Sequence, residues 1–402
     1  VSYDKESGEL VLHNYMDFDD LKDYVKISYE LTQDGLVISK GKLAEVSVAP
    51  HSEGKTNLKV NVQENGKCYL KLIYHLKKEM PLLEENHILG FDEIEVSQKD
   101  AKCQLAEKWL ERTATDSELQ VNEDDTQIHI KGREFAYTID RRTALFTEMK
   151  FAGREYLNHP MELNIWRAPT DNDMYIKAEW KKAHYDKAYT RAYTTEVVQG
   201  KHGVKIVSHA SVVAETVQKI LDVTITWKID ASGKIDADIE ATKDGEFPDL
   251  PRFGVRMFLD KKLSDARYFG MGPQESYRDK HQAASHGLYR ANVRDLHEDY
   301  IRPQENGSHY DCGYVELNNS RYGMAAFSES TFSFNASYYT QEELEKKTHN
   351  YELAESDSVV LCVDYALNGI GSNSCGPVVL DQYRFNDVLF RFQFTLVPYV
   401  KG

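Results

Sequence analysis

No stretch of this sequence approaches the roughly 20 consecutive apolar residues of a membrane-spanning helix. The opening Val1-Ser2-Tyr3-Asp4 has neither a basic stretch nor an apolar signal segment, and it leads directly into strand-like sequence. That start raises the expectation of a fragment, a processed product or one subunit of a split protein, with an ordinary mature domain edge as the alternative. Basic residues are outnumbered, and the formal net charge of −16 is spread over the whole length. Phosphate backbones are held by Lys and Arg that neutralise them, so nucleic acid is not an expected partner, and neither is a membrane. Cysteine is scarce. Cys68, Cys103, Cys312, Cys362 and Cys375 are odd in number, far apart, and form no CxxC pair or zinc-ligand spacing. Free thiols in a reducing, cytoplasmic compartment are the simplest reading.

What is present is an ordinary globular composition, with 41 % hydrophobic and 28 % charged residues, in a chain of 402 residues that is long enough for at least two domains. Strand patterns dominate. Gly8 to Asn14 is followed by Tyr24 to Leu31, where alternation places Val25, Ile27, Tyr29 and Leu31 on one side. Asp34-Gly35 then reads as a hairpin turn into Leu36-Val37-Ile38. Further strands are expected over Lys42 to Val48, Asn57 to Val62 and Cys68 to Lys77. Spacings of about ten residues describe a β-sandwich over residues 1–97.

Residues 98–120 are polar, with Trp109 and Leu110 as isolated apolar anchors, and read as a linker. From residue 121 to 402 strand patterns resume, including Gln127 to Ile130, Phe135 to Ile139, Val204 to Val213, Leu221 to Ile229 and Ile235 to Ile239. Helical interruptions are expected around Ala178 to Tyr189 and Thr340 to Lys347, the second opened by a capping box of Thr340 and Glu343. So long a run of strands exceeds an ordinary sandwich. The expected class is therefore all-β, a sandwich followed by a very large two-sheet antiparallel structure.

Glycosidic hydrolysis needs two carboxyl groups facing each other across the anomeric carbon, about 5 Å apart for retention. Few of the many carboxylates sit in segments that look like a built site. Asn164 to Asp173 is the most distinctive: Trp166 and Arg167 precede Pro169, and Asp171, Asn172 and Asp173 follow it. It is either a loop that supports a sugar site or an Asx-rich turn stapled by Arg167. Trp166 reads as core rather than as a stacking platform. Tyr268 to Tyr277 has the wrong glycine spacing for a dinucleotide loop and reads as a rim turn that positions Gln274 and Glu275. Glu275 is either an acid or base, or a hydrogen-bond brace. Arg302 to His309 carries Glu305 and Asn306 and suits a crossing loop; Glu305 with His309 as metal ligands lacks a third partner. Asn368 to Pro377, containing Ser372, Asn373, Ser374 and Cys375, has the character of a functional loop on a rigid scaffold. Cys375 has no nearby His to serve as its base, so a pocket-wall contact is the better reading.

Trp166 to Asp173, Gly270 to Tyr277, Glu305-Asn306-Gly307, Phe334-Asn335-Ala336-Ser337-Tyr338-Tyr339 and Gly369 to Cys375 together resemble the C-terminal region of family 2 glycoside hydrolases of the β-galactosidase type. The resemblance implies an immunoglobulin-like sandwich followed by a galactose-mutarotase-like super-sandwich, the last two of five domains. It places both catalytic glutamates in a (β/α)₈ barrel that precedes them. Nothing in this sequence has a barrel's alternation of strand and helix, so no residue here takes either catalytic role. The implied role is a substrate-site wall at Ser372, Asn373, Ser374 and Cys375, where some relatives carry a stacking tryptophan. The implied partners are the barrel and N-terminal domains, in cis or as a large subunit, a galactoside such as lactose, and a second copy of the enzyme in a homo-oligomer. No cofactor is expected in this chain; magnesium and sodium ions would be held elsewhere in the complete enzyme. Two other classes stay open. One is an autonomous carbohydrate-binding module built on some of the 25 tyrosines. The other is a sugar epimerase using His281, His286 or His297 with Glu298.

Overall fold

The computed structural model describes residues 1–63, 65–98, 104–110, 119–216, 219–371 and 378–401, with backbone alone at 104 and 110. The chain is all-β and antiparallel throughout, and it divides into two compact units.

The first unit, residues 1–107 with 286–288, holds a three-stranded and a four-stranded sheet. In the larger sheet the order is Leu36–Lys42, Val25–Gln33, Cys68–Leu76, Ile88–Ser97. Side chains alternate across a strand, so Val25, Ile27 and Leu31 meet Leu70 and Leu72 in one buried cluster with Leu10 and Leu12. The Asp34-Gly35 hairpin forms as expected, both residues having positive φ (46° and 80°) as a tight two-residue turn requires.

Two expected strands are not strands. After Lys42 the ladder ends with Leu43 N on Ile27 O at 2.9 Å, and Val48 is held by other partners: Asp20 Oδ1 accepts from Val48 N at 3.0 Å, and Asn14 Nδ2 and Leu21 N donate to Val48 O at 2.9 and 3.0 Å. The segment Asn57 to Val62 is a strand only at its first residue, the end of Glu53–Asn57. Gly8 and the Tyr3 hydroxyl bond the two backbone groups of Leu58 and end the ladder there.

The second unit, residues 108–285 and 289–402, contains a five-stranded and a twelve-stranded sheet. Phe146 of the smaller sheet packs edge-on against Trp227 of the larger, with ring centroids 4.9 Å apart. Trp227 Nε1 also donates to Ala144 O at 2.8 Å, which satisfies the one polar group of a fully buried indole. Strand Leu221–Asp230 alternates buried and less buried residues along its length. Strand Ser358–Leu367 is buried at nearly every residue because it is covered on both faces.

The helix Gln341–Lys346 starts where the capping box predicts, with Thr340 Oγ1 accepting from Glu343 N at 3.1 Å. The other expected helix is shorter than its pattern suggested: Ile176–Lys182 stops before His184, which is left-handed at φ 57°, and Tyr189 already begins a strand. The helix Gln104–Leu110 was not expected; at seven residues it is too short for the spacing of its apolar positions to stand out within a polar segment.

Candidate functional site

Where strand Leu157–Asn164 ends, Asn164 Oδ1 accepts from Trp166 N at 3.1 Å and turns the chain inward. Trp166 is buried against Trp180, centroids 6.2 Å apart and nearly perpendicular, so it is core and offers no face to a sugar. Asp173 accepts from Thr170 N at 2.9 Å and closes a short 3-10 turn over Asp171–Asp173. The same carboxylate takes Arg167 in a fork: Nε to Oδ2 at 3.1 Å and Nη2 to Oδ1 at 2.6 Å. Arg167 is fully buried, and its remaining donors reach Asn368 O at 2.5 Å and Gly369 O at 3.1 Å. A guanidinium with five fixed donors suits this task because it can hold a carboxylate and two carbonyls at once.

The backbone of residues 368–371 is gripped from further sides. Asp279 accepts from Ile370 N at 3.1 Å through Oδ1 and from Gly371 N at 2.8 Å through Oδ2. Asn172 Nδ2 donates to Gly371 O at 2.9 Å, and Asn368 Oδ1 accepts from Phe385 N at 2.7 Å. Gly369 leaves no room for a side chain unless a neighbour moves: a Cβ there would sit 2.8 Å from both Asp279 Oδ2 and Val379 Cγ1. Gly371 adopts φ +71°, which L residues rarely do. Beside this take-off lies a cavity of about 170 Å³, lined among others by Asn172, Asp173, Tyr175, Asp249, Val379 and Arg384. Arg384 and Asp249 pair across it at 2.6 Å. The wall residues Ser372, Asn373, Ser374 and Cys375 lie outside the described residues.

The segment around Glu305 joins the same assembly. Gln304 Oε1 accepts from Asp171 N at 3.0 Å, and Glu305 N donates to Ala168 O at 3.0 Å. Glu305 and Asp364 are both buried and share Arg252, at 2.9 Å and 2.5 Å. Burial raises the pKa of both carboxyls, while Arg252 pulls each the other way. With the guanidinium bonded to both, these two acids face a cation and not a sugar ring. Asn306 crosses the turn, accepting from Glu298 N at 3.0 Å and donating to Gln304 O at 2.9 Å.

Glu275 is surrounded by donors: Lys280 Nζ at 2.5 Å, Gly307 N at 3.0 Å, Tyr277 OH at 3.3 Å, and the Tyr300 hydroxyl. Burial works to raise its pKa, but Lys280, Tyr300 and the Gly307 N–H outweigh it and the net shift is downward. A carboxylate so occupied braces the turn. Gln274 beside it is exposed. His309 is buried between Tyr268 and Phe334, with Nδ1 3.2 Å from Met271 O, and Glu305 is bound to Arg252, so the two do not converge as ligands. Among the described residues no three His, Cys, Asp or Glu side chains gather as a metal site. The three histidines with Glu298 are dispersed in role: His281 Nδ1 sits 2.9 Å from Tyr277 O, His297 lies 3.6 Å from Asp299, and His286 groups with the first unit.

Thus the structure draws the segments containing Arg167, Asn172, Asp173, Gln304, Glu305 and Asn368 to Gly371 into one cluster. Sequence reasoning missed Asp279, Arg252 and Asp364. Asp279 directly follows the Gly270 to Tyr277 motif by two positions, the one local signal that could have found it. Arg252 and Asp364 lie inside strands, where an unexpected charge was the signal.

A family model described as β-galactosidase small chain matches residues 131–396. The chain belongs to the β-galactosidase family. A second model, described as β-galactosidase, domain 4, matches residues 10–97. A β-galactosidase of Actinobacillus pleuropneumoniae is 41 % identical over 390 residues, covering 97 % of this chain and 38 % of that protein. One of Staphylococcus xylosus is 31 % identical over 397 residues, covering 98 % of this chain and 39 % of its own length. The chain thus spans well under half the length of these curated relatives. Among solved structures, a galactose 1-epimerase of Lactobacillus acidophilus NCFM matches with TM-score 0.37 and 8 % identity over 72 % of this chain and all of that one, a likeness too low to bear on activity.

Proposed function

We propose that this chain is the non-catalytic, C-terminal portion of a retaining β-galactosidase that hydrolyses terminal β-D-galactose residues such as that of lactose. In this reading residues 98–120 link a sandwich, residues 1–97, to a super-sandwich, residues 121–402. A barrel and further N-terminal domains, in the same polypeptide or as a large subunit, supply both catalytic glutamates and hold the magnesium and sodium ions. This chain supplies the wall segment Ser372 to Cys375 and an assembly surface. The observation that carries the reading is the set of bonds from Arg167, Asp279 and Asn172 to the backbone of residues 368–371, which fixes the base of that wall. Pre-organisation of this kind is what a pocket wall needs if substrate binding is not to order it. Buried free thiols at Cys68 and Cys362 suit a cytoplasmic setting.

The experiment is an assay of the purified chain and of the intact protein with a nitrophenyl β-galactoside. Turnover by the intact protein and none by residues 1–402 alone is the expected result. Hydrolysis by the chain alone at a comparable rate would refute the division of labour.

A further inference from the structure

A second cleft opens at the far ends of strands that begin at the Glu275 cluster. Strand Ser308–Asn318 carries Ser308 near that cluster and Glu316 about eight residues on, roughly 25 Å along an extended chain. Alternation puts Tyr314 and Glu316 on one face while Val315 and Leu317 enter the core. Trp109, from helix Gln104–Leu110, caps this face: its Nε1 donates to Tyr314 OH at 3.2 Å and its ring lies 4.5 Å from that of Tyr399. The resulting cleft holds about 880 Å³ and is lined by Lys108, Arg267, Arg290 and Lys401.

The charge there is poorly met. Glu316 is buried and spends its Oε2 on the hydroxyls of Tyr314 at 2.7 Å and Tyr399 at 3.1 Å. Arg267 and Lys108 stand off from it at 3.8 and 3.9 Å, and Arg267 Nε has no hydrogen-bond partner among the described residues. Among the described residues Lys401 donates to neutral oxygens of Asn318 and Asn319, at 2.7 and 2.6 Å. Of the other acids lining the cleft, Asp295 is exposed and Asp265 accepts from Asn292 at 3.3 Å. The Lys108 ammonium is pushed toward its neutral form by burial first, with Arg267 and Lys401 adding repulsion and Glu316 opposing. Cations crowded in this way, within a chain of net charge −16, are relieved by an oxyanion.

We infer that this cleft is a binding site for a phosphate-bearing small molecule, held by Lys108, Arg267 and Lys401 beside the Trp109 wall. The cleft has the volume of a metabolite pocket.

Isothermal titration of the intact protein with inorganic phosphate, and separately with a hexose phosphate, tests it. Saturable binding is expected, weakened about fivefold or more in Lys108→Gln, whose half-exposed side chain can be changed without disturbing the core, and in Arg267→Gln. Equal affinities for the two ligands would identify free phosphate as sufficient, and tighter hexose phosphate binding would show that the sugar is read. The inference is overturned if neither ligand saturates, if both variants bind like the parent, or if sodium chloride at matched ionic strength gives the same heat.

Discussion

Arg167 and Asp173, six residues apart and both buried, form a forked ion pair at 3.1 and 2.6 Å whose spare donors hold the carbonyls of Asn368 and Gly369. One guanidinium therefore connects a turn near the start of the super-sandwich to a segment some 200 positions later. Removing it would leave the buried Asp173 carboxylate with the Thr170 N–H but no countercharge, and would take the guanidinium donors from two carbonyls.

For that reason Arg167→Ala should lower stability by about 3–5 kcal/mol, the usual cost of breaking a buried pair from one side. Arg167→Lys should recover only part of this, because an ammonium cannot fork onto the carboxylate and reach both carbonyls. Chemical denaturation of the three proteins measures both effects.

Asp279→Asn should separate the loop from the fold. An amide of the same shape can still accept one backbone N–H, but it cannot accept from both Ile370 and Gly371 through two oxygens. The expected stability loss is about 1–2 kcal/mol. In the intact enzyme KM for a β-galactoside should rise while kcat changes less.

Gly369→Ala should act the same way for a steric reason, since the new methyl would lie 2.8 Å from Asp279 Oδ2 and Val379 Cγ1. A crystal structure of the variant should show Asp279 displaced and its bonds to Ile370 and Gly371 lengthened.

His309 sets a pH dependence. Burial lowers its pKa from 6.5 to about 4, the Met271 carbonyl opposing, so the folded state holds it neutral. The unfolded chain therefore binds the extra proton between those values. Stability should fall as pH drops from about 6.5 to about 4 and level off below that, by roughly 3 kcal/mol in all. His309→Phe, which keeps the contact with Phe334, should flatten that limb in denaturation curves taken across the window.

Much of the fold was legible because burial imposes a period. The alternation of Val25, Ile27 and Leu31 and the cap at Thr340 each specify their element locally. Lys42 to Val48 and Asn57 to Val62 misled because β-rich composition does not say whether a neighbouring strand is free to pair, and here Asp20, Asn14 and Tyr3 reach the backbone first. At the candidate site, Arg167 and Asp173 stood out as charges around a proline. Asp279 did not, because nothing within its own segment reveals that a loop 90 residues later comes to rest on it.

The central claim is that the carboxylates that cleave the sugar bond lie outside residues 1–402. A fluorinated galactoside that traps the glycosyl-enzyme intermediate, followed by peptide mass mapping of the intact protein, tests it most directly. The label should appear on a glutamate outside this chain, and a label on any carboxylate within it, Glu275 and Glu305 included, would contradict the account.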